Sequence, residues 1–358
     1  MTHDTTLAPQ PAATAIALDA RYYVDPAMAA RDRALVFDRG WQLIAHVCRL
    51  QDPGDHVVAD FAGLPVIAVR GADGTLRVFH NVCRHRAGPI AKCDGLAAKS
   101  LRCRYHGWTY ALDGVLRSAP EMGDAEAFDP ADVRLLQLAV REWQGLVFAC
   151  VDEANAPPFE AFVAGIDARI DTAGLSGLAA FAHHQHVGYD IACNWKVYVD
   201  NYLEGYHVPH IHPGLNKLLD YRSYVTETAD WYSYQWSPLE GGDTYGDGDA
   251  LYYWLWPNTM LNILPGRLQT NRVVPVGVDR CRVEFDFYYA QDASGEARAR
   301  RDADLAFSDE VQHEDLEICE DVQRGLASGS YVAGRLNPMR ENAVHHFHEL
   351  LRRVYRES

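Results

Sequence analysis

Two short motifs carry the chemistry of this chain: Cys83-Arg84-His85 and, after seventeen intervening residues, Cys103-Arg104-Tyr105-His106. Each offers one thiolate and one imidazole. A [2Fe–2S] centre with two Cys on one iron and two His on the other needs that set. Neutral imidazoles in place of charged thiolates make such a cluster easier to reduce, so it suits electrons from a flavin or ferredoxin donor. Cys₂His₂ is also a zinc set. Zinc fingers, however, usually pair Cys with Cys and His with His, whereas each motif here mixes the two, which favours iron–sulfur. The flanks Ala87-Gly88-Pro89 and Gly107-Trp108 are small or rigid. They let backbone N–H groups approach cluster sulfurs, one means of tuning a potential.

A second constellation lies in Asn201-Tyr202-Leu203-Glu204-Gly205-Tyr206-His207-Val208-Pro209-His210-Ile211-His212. On a continuous helix Asp200, Glu204 and His207 would share one face. Pro209 must end or bend that helix, which would let His212 swing back beside His207, with His210 as the competing imidazole. Two His and one carboxylate form the facial triad of non-haem Fe(II) oxygenases, leaving positions open for O₂ and water. The spacing leaves the carboxylate open among Asp309, Glu310, Glu314, Asp315, Glu317, Glu320 and Asp321. A solvated His-rich loop and an ordinary acidic helix surface are the bland alternative. An electron-storing cluster needs somewhere to deliver electrons, and this favours the metal reading. The clusters at His183, His184 and His186 and at His345, His346 and His348 read as structural or surface groups.

These motifs need elements to hold them. Residues 41–152 read as β: Trp41–Val47, Leu64–Arg70 and Thr75–Asn81 about Ala72-Asp73-Gly74, Gly107–Leu112 and Val115–Ser118 about Asp113-Gly114, and Gly145–Val151. Asp-Gly between β-rich runs is a hairpin signal, and such strands would hold the two Cys/His loop tips together. After a Pro-containing boundary at 154–159, helical spacing appears at Phe159–Ile170, Trp195–Tyr206, Ser308–Leu326 and Glu341–Tyr355, with an alternating strand at Val283–Ala290. A further short helix is expected over Asp25–Phe37, and a loop over the Gly/Asp-rich segment Gly241–Asp249. Two domains follow: 41–152 around the cluster, and 1–40 with 153–358 around the second site.

With 358 residues, 48% hydrophobic and 23% charged, the chain can bury substantial cores in both. A net charge of −16 argues against nucleic acid as a partner, which requires a basic face. No apolar run is long enough to span a membrane, and Met1–Ala17 lacks the features of a secretory signal. Six of the eight Cys show no framework spacing, so reduced thiols and a cytoplasmic location are expected.

With both motifs in this order, the chain resembles the terminal oxygenase (α) subunit of Rieske non-haem iron oxygenases from about Trp41 to Arg353. Asn201, Glu204, Tyr206, His207 and His212 match that family's Asn-x-x-Asp/Glu-x-Tyr-His-x₄-His pattern. An Asp eight residues before Gln323-Arg324-Gly325 falls on Asp315. The resemblance implies an α+β architecture: an all-β Rieske domain plus a helix-grip-like catalytic domain with an antiparallel sheet covered by helices. It implies a [2Fe–2S] cluster on Cys83, His85, Cys103 and His106, and Fe(II) on His207, His212 and Asp315. Electrons would come from NAD(P)H through a flavin/iron–sulfur reductase. Glu204 stands where the family, in its homotrimers, has an acid bridging a cluster His of one subunit to an iron-bound His of the next. Many members carry Asp there.

Segments 194–207, Gln235–Leu239, Tyr253…Asn258 and Val322–Leu326 are similar to the choline monooxygenase branch, which oxidises or demethylates quaternary amines. The resemblance therefore implies a monooxygenase acting with O₂ on choline, a betaine or a carnitine-like substrate. Tyr202, Tyr206, Trp254 and Trp256 are candidates for a cage around the cation. An aromatic acid or ether as substrate, and a non-catalytic Rieske electron carrier, are the competing readings.

Overall fold

The computed structural model describes residues 5–218, 223–242 and 246–356. The chain divides into two units, Asp38–Ala156 and a discontinuous one made of Met1–Phe37 and Pro157–Ser358.

The Asp38–Ala156 unit is built on a six-stranded antiparallel sheet. Its strands are β1 (Gln42–His46), β2 (His56–Phe61), β3 (Leu64–Arg70), β4 (Leu76–His80), β8 (Gln137–Trp143) and β9 (Leu146–Cys150), in the order β1-β9-β8-β4-β3-β2. Three short strands, β5 (Leu101–Arg102), β6 (Thr109–Tyr110) and β7 (Leu116–Ser118), form a second sheet. Two tight hairpins set the register. Ala62-Gly63 and Gln144-Gly145 take positive φ at both turn residues, the geometry that matches strand twist in a two-residue connection. Alternation along β3 then sorts side chains to two cores. Val66 and Ala68 join Val57, Phe61 and Val147. Ile67 and Val69 join Phe79, Ile90, Leu101, Trp108, Tyr110 and the two thiols Cys83 and Cys103. The second core is thus continuous with the Cys/His loops.

The other unit carries a seven-stranded antiparallel sheet of β10 (Ala182–Ile191), β11 (Val225–Thr228), β12 (Tyr232–Gly242), β13 (Gly246–Leu255), β14 (Thr259–Leu264), β15 (Arg267–Pro275) and β16 (Cys281–Tyr289). Strands β11 to β16 meander in sequence order, and β10 pairs with β16. The helix Trp195–Tyr202 packs on β15 and on the long helix Gly295–Ala327, while the last helix, Asn342–Arg356, packs on β11. The unit is therefore α+β, an antiparallel sheet with helices laid against it.

Several elements differ from their sequence-based bounds. The Trp195 helix stops at Tyr202, not Tyr206, so Glu204 and His207 do not share a helical face with Asp200. Gly165, at φ +81°, splits the helix expected over Phe159–Ile170 into Phe159–Phe162 and Ile166–Thr172. The long helix begins thirteen residues before Ser308, where Ser294 caps it by accepting the Ala297 N–H at 3.1 Å. Of the loop expected over Gly241–Asp249, the flanks belong to β12 and β13, and 243–245 lie outside the described residues. Among the described residues no helix is long and apolar enough to cross a membrane.

One buried ionic knot ties three segments of this unit. Asp32 accepts from Trp195 Nε1 at 2.8 Å, from Lys196 Nζ at 2.5 Å and from the Tyr355 hydroxyl. The Lys196 and Asp32 side chains are 0% and 4% exposed. Burial pulls the Lys196 pKa down, against the opposing pull of Asp32. The N-terminal segment is tied down again where Arg352 donates to the Ile16 carbonyl at 2.8 Å. Removing one partner of such a pair leaves an uncompensated buried charge. Asp32→Ala is expected to cost about 3–5 kcal/mol in a urea titration, and adding Lys196→Met should recover part of it. A single-variant cost below about 1 kcal/mol would show that the knot is dispensable.

Candidate metal centres

The two Cys/His loops are built alike. In the first, the Cys83 N–H donates to the Gly88 carbonyl at 2.8 Å and the Ala87 N–H to the Cys83 carbonyl at 3.0 Å. In the second, the Cys103 N–H donates to the Trp108 carbonyl at 2.9 Å and the Gly107 N–H to the Cys103 carbonyl at 3.1 Å. The fourth residue after each Cys, Ala87 or Gly107, has positive φ. The first loop follows β4 and is stapled by Asn81, whose Oδ1 accepts the Ile90 and Ala91 N–H groups, both at 2.9 Å. The second is the tip of the β5–β6 hairpin. Gly88 lets the loops approach, since a Cβ there would lie 3.0 Å from Cys103 Sγ.

This geometry gives the centre a polarity. Cys83 and Cys103 are buried, whereas His85 and His106 are exposed with ring centroids 4.6 Å apart. His85 also stacks on Trp108 at 4.7 Å. Tyr110 Oη accepts the Arg84 N–H at 3.0 Å, which leaves its proton for Cys83 Sγ at 3.3 Å. Among the described residues, one group of three or more His, Cys, Asp and Glu brings its ligand atoms within 4.8 Å of one another, and it is not this one. Four donors too spread for a single ion, with two unpaired thiols at the buried end, fit a two-iron cluster better than one zinc.

That compact group is His207, His212 and Asp315. After Tyr202 the chain leaves the helix because the Glu204 carboxylate takes the Tyr206 and His207 N–H groups, the latter at 3.1 Å, competing with helical bonding. A new short helix, Val208–Ile211, then starts with Pro209 in its first turn, where a missing N–H is harmless. Pro209 thus opens this helix and does not bend the earlier one. His207 and His212 flank it with rings 5.1 Å apart. His210 is exposed and outside the group.

Asp315 comes from the long helix. Its Oδ1 lies 3.1 Å from His212 Nε2 and 3.9 Å from His207 Nε2, and accepts from Asn201 Nδ2 at 2.7 Å. Each imidazole turns its other nitrogen to a second carboxylate: His207 Nδ1 to Glu204 at 2.5 Å and His212 Nδ1 to Glu314 at 2.6 Å. Such carboxylates hold the Nδ1–H tautomer and leave Nε2 for a metal. Burial lowers the His212 pKa, but Asp315 and Glu314 together raise it on balance. Two Nε2 atoms and one carboxylate at contact distance fit the donor set of a facial iron site. Asp200 lies elsewhere, bonded to Tyr23 at 2.7 Å and His348 at 2.9 Å.

A cavity runs from His207, His212 and Asp315 along Tyr202, Tyr252, Phe285 and Phe307. Tyr202 is held there by its hydroxyl on Asn262 Oδ1 at 2.6 Å. The other expected cage residues lie elsewhere. Trp254 shares the Tyr252 face of β13 but is covered by the last helix, with its ring 5.2 Å from Phe347, and Trp256 packs beside it. Tyr206 is exposed and lines no part of this cavity. Tyr252 belongs to the aromatic-rich span that the sequence offers for a cage, whereas Phe285 and Phe307 carry no local signal for this wall; Glu314, a candidate ligand by spacing, and Asn201, a motif residue, act here as supports. Helical adjacency to Asp315 was the signal for Glu314.

Residues 178–357 match the family described as ring hydroxylating alpha subunit (catalytic domain), and residues 40–134 match the Rieske [2Fe-2S] domain. Chloroplastic choline monooxygenase of Arabidopsis thaliana is 33% identical over 92% of this chain and 81% of its own length. The carnitine monooxygenase oxygenase subunit of Escherichia coli strain K12 is 31% identical over 95% and 94%. The crystal structure of the quaternary ammonium Rieske monooxygenase CntA with L-carnitine has a TM-score of 0.85 at 27% identity, over 97% of this chain and 99% of that one. Naphthalene 1,2-dioxygenase from Rhodococcus sp., at TM-score 0.79 and 18% identity over 94% of each chain, shares the fold.

Two outcomes are expected. Tyr110→Phe removes one hydrogen bond to a cluster sulfur, worth roughly 1 kcal/mol, and should lower the cluster midpoint potential by roughly 40 mV; an unchanged potential in protein-film voltammetry would dismiss that bond. Asp315→Ala should lower iron from about three to about two per chain while the reduced-cluster EPR signal persists. Full iron retention would move the third ligand to another acid.

Proposed function

The chain belongs to the ring-hydroxylating oxygenase α-subunit family, as a Rieske non-haem iron monooxygenase, and on that premise we propose that it oxidises a small quaternary ammonium compound. Its cofactors are a [2Fe–2S] cluster and a mononuclear iron, reduced from NAD(P)H through a reductase. Cys83, His85, Cys103 and His106 hold the first; His207, His212 and Asp315 hold the second. The observation that carries the substrate reading is the wall of the cavity at that triad. Tyr202, Tyr252, Phe285 and Phe307 line it as aromatic residues, while Glu204 and Asp315 contribute negative charge. Its one lining cation among the described residues is Arg267, whose Nε lies 2.6 Å from Asp304. A permanent cation gains roughly 0.5–2 kcal/mol per aromatic contact in such surroundings. The relatives named for choline and carnitine support the same class.

When bound, the cluster supplies single electrons and the mononuclear iron activates O₂ for attack on a C–H bond. The chain's residues set up that chemistry. Glu204 and Glu314 fix the imidazole tautomers, and Asn201 steadies Asp315. The apolar walls position the substrate and limit water near its reacting carbon. Glu204, exposed to the cavity and bonded to His207, is the group to receive a cluster imidazole of a neighbouring subunit in a homotrimer and to hold a proton between the two rings. Exposed His85 and His106 suit that docking. A hydroxyl placed on an N-methyl carbon would collapse to amine and formaldehyde; one placed beside choline's hydroxyl would give an aldehyde hydrate. That none of the eight Cys is in a disulfide is compatible with a reducing cytoplasm.

Oxygen uptake with a reductase and NADH should rise with choline, glycine betaine or carnitine and stay at background with aromatic acids. The reverse ranking would reject the substrate class. Glu204→Gln should keep both metal centres by EPR and lower turnover about 10–100-fold. Undiminished turnover would remove Glu204 from the electron path.

A further inference from the structure

The wall of the cavity at His207, His212 and Asp315 carries a polar seam that neither iron binding nor aromatic packing requires. Alternation along β15 brings Arg267, Gln269 and Asn271 to this cavity, and the long helix adds Ser308 and Gln312. Such a deeply buried wall is ordinarily apolar, yet Gln269, Asn271 and Gln312 are 2%, 3% and 2% exposed. Buried amides persist where their hydrogen bonds are met, and the bonds of this seam all run one way.

A guanidinium only donates. Arg267 Nη2 donates to Gln269 Oε1, so Gln269 meets the next amide with its nitrogen, and its Nε2 donates to Asn271 Oδ1 at 2.9 Å. Asn271 is thereby left with Nδ2 as its outer group. A long contact of 3.5 Å from Ser308 Oγ to Gln269 Oε1 lays the helix against this strand. On the helix, Gln312 Oε1 accepts the Tyr198 hydroxyl at 2.6 Å, while Gln312 Nε2 is buried and has no hydrogen-bond partner. Gln269, Asn271 and Gln312 thus have their oxygens engaged. Gln312 also stands one turn before Asp315, so the two side chains are neighbours on the helix surface.

We infer that Gln312 and Asn271 are specificity-determining donors for a carboxylate of the substrate, which is therefore a zwitterion with an anionic group as well as a quaternary ammonium. The inference rests on the quaternary ammonium reading for the cationic half and adds the other half. An alcohol suits the seam less well, because a hydroxyl brings a proton of its own and the amide oxygens here already accept one. A carboxylate is acceptor-only, and hydrogen bonds to an ionised group are the stronger kind. Arg267, whose charge is shared with Asp304, polarises the run of amides in the sense that favours an anion at Asn271. Tyr202, Tyr252, Phe285 and Phe307 remain for the ammonium end. A site whose buried donors need an acceptor also rejects ligands that lack one, since those leave the donors unpaired.

The test is equilibrium binding to the oxidised holoenzyme by anaerobic titration calorimetry, where no turnover intervenes, with glycine betaine, L-carnitine, choline and benzoate as probes. At least one of the two zwitterions should bind the wild type about 10-fold or more tightly than choline does. Gln312→Met removes the donors; at matched iron content it should weaken zwitterion binding about 10–100-fold and choline binding by less than about 3-fold. Gln312→Glu keeps an acceptor for the Tyr198 hydroxyl and sets a charge against the carboxylate. It should weaken the zwitterions further and leave choline bound as well or better. Choline bound by the wild type as tightly as both zwitterions would overturn the inference and leave the quaternary ammonium reading standing. Equal losses for choline and the zwitterions in Gln312→Glu would do the same. Benzoate bound, with none of the three ammonium compounds, would overturn that reading and the inference with it.

Discussion

Carboxylates behind imidazoles hold the catalytic unit to its chemistry. His207 and His212 each place one ring nitrogen against a glutamate, and the opposite nitrogens face Asp315. A neutral imidazole has one proton to give, and whichever nitrogen keeps it cannot bind a metal. With Glu204 and Glu314 claiming that proton, both rings present a lone pair in the same direction. The arrangement requires the chain to break after Tyr202, because a continuous helix would carry Glu204 onto a different face from the one it occupies. It also requires a helix long enough to bring Asp315 and Glu314 to opposite sides of one ring. The acid identity at 204 matters for the same reason. Its longer arm lets one carboxylate cap the following backbone and still reach His207.

The two centres solve opposite problems. The two Cys/His loops bury sulfur and expose nitrogen, so Cys83 and Cys103 lie against Tyr110 and an apolar core while the imidazoles meet solvent. The His207, His212 and Asp315 group is enclosed, with His212 at 1% exposure, and opens instead to a cavity with aromatic residues in its wall. Electron exchange needs a surface; substrate oxidation needs a recess where water is scarce. The same residue types serve both ends because their burial is reversed.

Much of this was legible from sequence where a local rule governs it. Asp-Gly turns and alternating strands located the hairpins, and mixed Cys/His spacing picked out two loops that the fold brings together. Other features depend on tertiary contacts. The first turns of the long helix, from Gly295 to Phe307, are highly charged and offer little apolar periodicity, so only the Ser294 cap marks their start. Trp254 and Tyr252 share a strand face and a composition. One lines the cavity and the other lies under Phe347 because the last helix covers half of that face, a fact no local pattern contains. Glu204 looked helical because its spacing to Asp200 and His207 was right. Its own carboxylate, turned back on the chain, is what ends that regularity.

The discontinuity of the catalytic unit has a consequence for synthesis. Asp32 and Ile16 find their partners in Tyr355 and Arg352, so an early part of the chain waits for one made long after it. The intervening Asp38–Ala156 unit has no such debt: its strands pair with one another, and it is whole long before translation ends. Domains fold as units during elongation. Maturation is therefore ordered: the unit that carries the two Cys/His loops can close while the one that carries His207, His212 and Asp315 is still an open chain.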